Sequence, residues 1–407
     1  MSRAKMLRAF KHAANTHHGK GTISIGQQVV EMPRLGTGSL QLDVGLGGGI
    51  PVGRVTMLHG KKSSGKTTTA YRVAGISQDL CANCLRLKDI EVVEDVDPET
   101  GEVEYEAKGE CDCVATGLYE PRQMEGEKKA DFKERCNQLH ENSYEEFRIA
   151  LLDVESSFDH AWASKLGLDD RRLLVAKPDT AEEAIDLYDT LARTGAVDMI
   201  ILDSVAALTP SAEVEASAEK WQQGLQARLV NKLCRKAGAA ANFVAREHGR
   251  QLTQLWINQH RQKIGVMFGD PTTLPGGMGQ EFLTSVEVKM WSSGWDKESV
   301  DEGLSAKDSM KLGERVRVNF EIVKNKTAPA RATGSYVLNV RDASIEDLPM
   351  MISLAEKYGL IRKEDGKIKF GANMYKTQKA VRETIESDMG VFGDLFKELK
   401  SRMLGAR

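Results

Sequence analysis

Two groups of residues have the types and spacing to do chemistry. The run His59-Gly60-Lys61-Lys62-Ser63-Ser64-Gly65-Lys66-Thr67 follows the G-x4-G-K-[ST] pattern of a phosphate-binding loop. Gly60 and Gly65 permit the turn that points backbone amides at phosphate oxygens, Lys66 adds positive charge, and the Thr67 hydroxyl suits Mg2+. Lys61, Lys62, Ser63, Ser64 and Thr68 complete a cradle for ATP. Asp203 closes an apolar run, a position used both by acids that hold a magnesium shell and by ordinary turn residues. Glu155, in LLDVESSFD, is either a base that orients and deprotonates attacking water or a solvated loop acid. In a parallel sheet, Lys66, Glu155 and Asp203 would meet at the C-terminal strand edge.

The second group is Cys81-x2-Cys84, 26 further residues, then Cys111-x-Cys113. Four thiolates at this spacing suit a closed, structural Zn2+ site. DIEVVEDV and EVEYEAKGE alternate around the turn signal DPETG, which predicts a β-ribbon small enough to need such a staple. Cys136 and His140 are alternative ligands, and unligated thiols the bland reading. From Lys88 to Glu110 there are ten acidic residues against two basic, so the ribbon is a poor partner for phosphate. It is left with a basic protein surface, an electrostatic competition with a phosphate-bearing ligand, or the status of a tolerated surface insertion.

These groups need elements to position them. Short apolar runs at Arg54–His59, Phe147–Asp153, Met199–Asp203 and Leu255–Asn258 alternate with helical patterns such as TAEEAIDLYDTLARTG. This predicts an α/β fold with a mostly parallel sheet covered by helices. Ser285–Trp291, Arg315–Lys324 and Gly334–Val340 are expected to extend it as antiparallel strands. Residues 3–15 form a basic amphipathic pattern, and after about Ile345 short helices surround the strand pair IRKEDGKIKF. The expected domains are an N-terminal segment at 1–33, an ATPase core at 34–344 interrupted by the insertion at 80–145, and a C-terminal module at 345–407. The 407-residue chain carries 56 basic and 59 acidic side chains, so its overall charge marks neither nucleic-acid nor membrane binding. No apolar run is long enough to span a bilayer, the N-terminal stretch lacks the apolar centre of a signal peptide, and the paired cysteines suit a reducing compartment; a cytoplasmic protein is expected.

GKKSSGKTT, LLDVESSFDHAWASKLGLD, KPDTAEEAIDLYDTLARTGAVDMIILDSVAALTP, INQHRQKIGVMFGDPTTLPGG and VKNKTAP, in this order, resemble the bacterial RecA family of recombinases everywhere except about residues 80–145. The resemblance implies a P-loop ATPase core in a self-assembled helical filament on single-stranded DNA, with residues 1–33 as the oligomerisation segment. ATP would sit between subunits and drive homologous pairing with double-stranded DNA and strand exchange. It implies that Lys66 and Thr67 bind phosphate and Mg2+, that Asp203 is the Walker B acid, and that Glu155 activates water. Trp162 would lie against adenine, although it also suits a core-facing helix position, with Asp159 as its companion on the base. Gln259 would sense the γ-phosphate, and Lys324 and Lys326 would reach across the subunit boundary.

Two loops would carry DNA in this resemblance. EVEASAEKWQQG, at 213–224, departs from the family pattern, though Trp221 could stack on a base. In HRQKIGVMFGDPTTLPGG, at 260–277, Arg261 and Lys263 suit phosphates, Ile264 and Phe268 suit packing between bases, and Gly276 and Gly277 suit close backbone approach. Arg228 is either a phosphate contact or a helix surface charge. The last residues, KELKSRMLGAR, lack the acidic tail of that family, from which readier nucleation on DNA is expected. A ring helicase or translocase on the same core, and a regulatory filament that exchanges no strands, are the rival readings. The residues leave open a bacterial or a phage setting.

Overall fold

The computed structural model describes residues 5, 6, 8–10, 12, 13, 32–97, 100, 103–116, 119, 121, 123, 127–215, 224–262, 272–295, 315–364 and 366–405. The strands in chain order are β1 (Arg34–Leu35), β2 (Ile50–Pro51), β3 (Val55–Gly60), β4 (Ile90–Val96), β5 (Val103–Gly109), β6 (Ile149–Asp153), β7 (Leu173–Ala176), β8 (Met199–Asp203) and β9 (Thr253–Gln259). They continue with β10 (Arg261–Gln262), β11 (Thr272–Thr273), β12 (Val286–Trp295), β13 (Arg315–Asn325), β14 (Thr333–Asn339), β15 (Ile361–Glu364), β16 (Lys367–Phe370) and β17 (Asn373–Tyr375). Eight of them form the central sheet in the order β14-β13-β12-β3-β9-β8-β6-β7. Every neighbouring pair from β12 to β7 is parallel, and β13 and β14 add to it antiparallel.

The parallel strands are apolar throughout because both of their faces are covered. In β6, Ile149 and Leu151 join the core under one face while Ala150 and Leu152 join the core under the other; β8 divides Met199 and Ile201 from Ile200 and Leu202 in the same way. The first core receives the Lys66–Gln78 helix through Ala70, Tyr71, Val73 and Ala74. The second receives the helices Ala181–Thr194 and Leu225–Glu247. A third core lies under β15 to β17 and the helices Leu348–Lys357, Gln378–Ser387 and Met389–Gly405, and it takes in Leu40 and Val44 of the Leu40–Leu46 helix. Asp347 Oδ2 accepts from Leu40 N–H at 2.7 Å and Lys400 Nζ donates to buried Asp43 at 2.6 Å across that junction.

The mostly parallel α/β sheet is as expected, and β4 and β5 pair antiparallel as the expected ribbon. The described residues among 5–13 are helical. One expectation is corrected: the 285–291 segment pairs in parallel with β3 and is antiparallel only to β13. The connection from β9 crosses back over the sheet before β12 begins, and this fixes the direction of β12. β7, at the edge of the sheet, and β17 were not anticipated. At four and three residues they are too short to establish a period of two.

The Lys66–Gln78 helix packs closely on the 167–168 backbone, and a Cβ at Gly75 would lie 2.6 Å from the Gly167 carbonyl carbon. Gly393, in the Met389–Gly405 helix, has nothing within 4 Å of such a Cβ. Alanine favours a helix over glycine by about 1 kcal/mol, whereas overpacking costs roughly 1–3 kcal/mol. Urea unfolding is therefore expected to show Gly75→Ala destabilised and Gly393→Ala stabilised by up to about 1 kcal/mol; equal effects would remove the close-packing explanation.

Candidate functional site

β3 delivers the phosphate loop to the C-terminal edge of the sheet, beside the ends of β6, β8 and β9. Gly65 has φ +84° and Ser63 φ +56°, so the loop folds back before the helix begins at Lys66. Gly60 is needed for a different reason: a Cβ there would sit 2.1 Å from the Met290 carbonyl oxygen of β12. No side chain caps the N-terminus of the Lys66–Gln78 helix, so its first amides are left for an anion. Ser64 is buried, while Lys61, Lys62 and Ser63 are exposed at the rim.

Lys66 Nζ donates to Lys61 O at 2.7 Å and Ser64 Oγ at 3.3 Å. Burial lowers its pKa, and the charges of Asp203 and Glu155 oppose that shift. Thr67 Oγ1 donates to Asp203 Oδ2 at 2.9 Å. Burial foremost, with Glu155 and Asp153 adding repulsion, pushes Asp203 up to about 7 against the Thr67 hydrogen bond and Lys66. A hydroxyl and a carboxylate held together at the end of this helix are hard oxygen donors, a set that fits Mg2+. Glu155 Oε1 accepts from Gln259 Nε2 at 2.6 Å and Ser204 Oγ at 2.5 Å. Lys66, Thr67, Glu155, Asp203 and Gln259 are thus brought to one edge.

Trp162 is half-buried against the first core, and its Nε1 donates to Thr68 Oγ1 at 3.3 Å. Asp159 caps the His160–Lys165 helix by accepting from Trp162 N–H at 3.0 Å. Lys324 and Lys326 are at the end of β13, where they donate to Glu281 O and, at 3.0 Å, to Phe282 O. Arg261 is exposed in β10 and donates to Ala206 O at 3.0 Å; Arg228 is exposed on the Leu225–Glu247 helix. Gly276 (φ +99°) and Gly277 (φ +74°) lie against Val230 and Ala227 of that helix. Trp221, Lys263, Ile264 and Phe268 lie outside the described residues.

The four cysteines converge: the sulfurs of Cys81, Cys84, Cys111 and Cys113 all lie within 4.8 Å of one another. Burial raises the thiols of Cys81, to about 11, and Cys113, to about 12. A soft cation fits this set. Cys136 and His140, on the Lys129–Glu141 helix, are not part of it.

Reading by motif missed a histidine pair at the root of the site. His59 Nδ1 and His260 Nε2 are 2.8 Å apart, and His260 N–H donates to Gly60 O at 3.0 Å. The pair joins the residue before the phosphate loop to the residue after Gln259. Its signal was only that one histidine flanks each motif, which becomes visible once β3 and β9 are known to be neighbours. Burial, then repulsion from His260, Lys289 and Lys66, lowers the His59 pKa to about 3. A folded-state pKa below the unfolded value gives stability that is complete above about pH 6.5 and is lost as pH falls toward 3. Between pH 7.5 and 5 the wild type is expected to lose about 2 kcal/mol more than His59→Phe, read as the difference in unfolding free energies. Parallel pH profiles would show that His59 is not held neutral by the fold.

The sequence profile of the RecA N-terminal domain matches residues 5–100 and 137–338, and its gap falls within the cysteine-rich insertion. Protein RecA of Bartonella tribocorum is 33% identical over 368 residues, 89% of this chain and 82% of its own length. Protein RecA of Cytophaga hutchinsonii is 31% identical over 369 residues, 90% of this chain and 81% of its own. Protein RecA of Mycolicibacterium smegmatis is 30% identical over 406 residues, 98% and 92% of the two chains. Among the described residues no helix is long and apolar enough to cross a membrane. The family match across most of the chain and the phosphate loop at the parallel strand edge agree: the chain belongs to the RecA family of recombinases.

Proposed function

We propose that the protein is a DNA-dependent ATPase that assembles into helical filaments on single-stranded DNA and exchanges strands with a homologous duplex. The observation that carries this reading is the 2.6 Å hydrogen bond from Gln259 to Glu155, which links the acid beside the phosphate loop to the strand leading into the 260–277 loop. In this reading Gly60, Ser63, Ser64, Gly65, Lys66 and Thr68 hold the triphosphate. Thr67 and Asp203 hold Mg2+, which neutralises developing phosphate charge when bound. Glu155 orients the attacking water and takes its proton. Gln259 has a second N–H free to meet a phosphate oxygen while the first bonds Glu155, so nucleotide state is felt at the start of the DNA loop.

Trp162 and Asp159 border the base, and Lys324 and Lys326 complete a neighbour's site in trans. Arg228, Arg261, Lys263, Ile264, Phe268, Gly276 and Gly277, with Trp221, serve the DNA. Residues 1–33 mediate assembly, and residues 345–407 contact duplex DNA.

The test is ATP hydrolysis by the purified full chain with and without single-stranded DNA, followed by strand exchange. Strong stimulation is expected for the wild type and none for Lys66→Ala. Glu155→Gln is expected to lower turnover roughly 10²–10⁴-fold while keeping ATP-dependent DNA binding. DNA-stimulated hydrolysis without strand exchange would favour a regulatory filament, and closed rings in micrographs a translocase; either outcome would overturn the reading.

A further inference from the structure

The cysteine cluster is not explained by ATP or DNA chemistry. We propose that Cys81, Cys84, Cys111 and Cys113 bind one Zn2+ ion as a tetrathiolate centre that fastens the acidic insertion to the far end of the phosphate-loop helix. The distances favour a metal over a cross-link. Zn–S bonds of about 2.3 Å place the sulfurs of a tetrahedron about 3.8 Å apart, whereas a disulfide needs about 2.05 Å. Cys84 Sγ and Cys111 Sγ are 3.7 Å apart, and all four thiols are free.

The surroundings fix the positions of the sulfurs. Cys81 Sγ and Cys113 Sγ lie 3.6 and 3.7 Å from Ser143 O, so one residue of each cysteine pair meets the returning chain at the same carbonyl. Cys113 Sγ donates to Ser143 Oγ at 3.2 Å, and that hydroxyl donates in turn to Cys111 O. These contacts hold the ligands in place. Among the described residues the local cluster adds only Tyr119 and Tyr144 to the cysteines, too little apolar surface to secure a two-stranded ribbon. Four protein ligands leave no open coordination position, so the centre is structural.

Its place in the fold defines what it holds. Cys81 follows the Lys66–Gln78 helix almost at once and bridges to Glu146, where the chain rejoins the core just before β6. Ser143, fully buried, donates from N–H and Oγ to Cys111 O at 2.7 and 2.8 Å, so the returning chain is bound to the second cysteine pair. A 13-residue helix is about 20 Å long, which separates the metal from Lys66 by that distance. Loss of the metal should loosen the insertion and leave nucleotide affinity alone.

Full-length protein purified without added metal is expected to contain one zinc per chain, released as four thiols are titrated with a mercurial. Replacement by Co2+ should give the thiolate charge-transfer and d–d bands of a tetrahedral S4 site. Cys113→Ser should lower metal affinity at least tenfold, make the ribbon protease-sensitive and change ATP affinity less than twofold. Cys136→Ser and His140→Ala should keep one zinc. Protein lacking metal and giving no Co2+ spectrum, iron–sulfur absorption, or zinc lost in Cys136→Ser or His140→Ala would overturn the proposal. The wild-type measurements decide the matter even where a cysteine variant fails to fold, and none depends on DNA stimulation or strand exchange.

Discussion

One oxygen atom organises the edge of the sheet. Glu155 Oε1 accepts hydrogen bonds from Ser204, just beyond β8, and from Gln259, the last residue of β9, while Glu155 itself stands just beyond β6. The strands are parallel neighbours, so their ends share an edge, and a carboxylate there can bind two of them at once. Lys66 and Asp203, both buried, supply the remaining charge. Burial disfavours both of their charged forms, and in the proposed reading a magnesium–nucleotide complex supplies the charges that balance them.

The parallel half of the fold was legible because burial on both faces leaves an unmistakable trace in MIILD and LLD, each closed by an acid at the strand end. The phosphate loop was legible because its glycines and lysine have few alternative uses at that spacing. The direction of β12 was not, since alternation is the same in parallel and antiparallel pairs and only the route of the chain decides between them. Nor was the purpose of Gly60, which depends on the approach of β12, a strand more than 200 residues later. The contact between His59 and His260 is likewise a property of strand order, which no local pattern records.

The insertion is placed where the core tolerates it. The chain leaves after Leu80 and returns at Glu146, and Cys81 and Glu146 are bridge partners, so the inserted residues close on ends that are already adjacent. Extra length between such ends costs little entropy. Exposed pairs such as Arg148 with Glu106 hold the ribbon weakly, each contributing at most about 1 kcal/mol. Arg172 anchors the junction instead: nearly fully buried, it donates to Glu146 at 2.7 Å and to Gln78 O at 2.7 Å, joining the end of the phosphate-loop helix to the returning chain.

In the proposed reading, dependence on assembly rests on how Lys324, in β13, and Lys326, just beyond it, are satisfied within one chain. Lys324 bonds Glu281 O, with Thr284 and Glu287 at 3.4 and 3.5 Å, and Lys326 bonds Phe282 O; both cap the last carbonyls of the Gly279–Leu283 helix. The carbonyl contacts at the helix C-terminus are favourable but modest, and Glu287 adds an ion pair to Lys324 alone. A phosphate oxygen offers each ammonium a charge-assisted bond roughly twice as strong. In the proposed reading the exchange is therefore favourable only when a neighbour presents its phosphates, more readily for Lys326 than for Lys324, which already pairs with Glu287. The Gly279–Leu283 helix follows the 260–277 segment in the chain and precedes β12, so in the proposed reading the exchange that completes a neighbour's nucleotide site also frees carbonyls on the element that joins that segment to the central sheet.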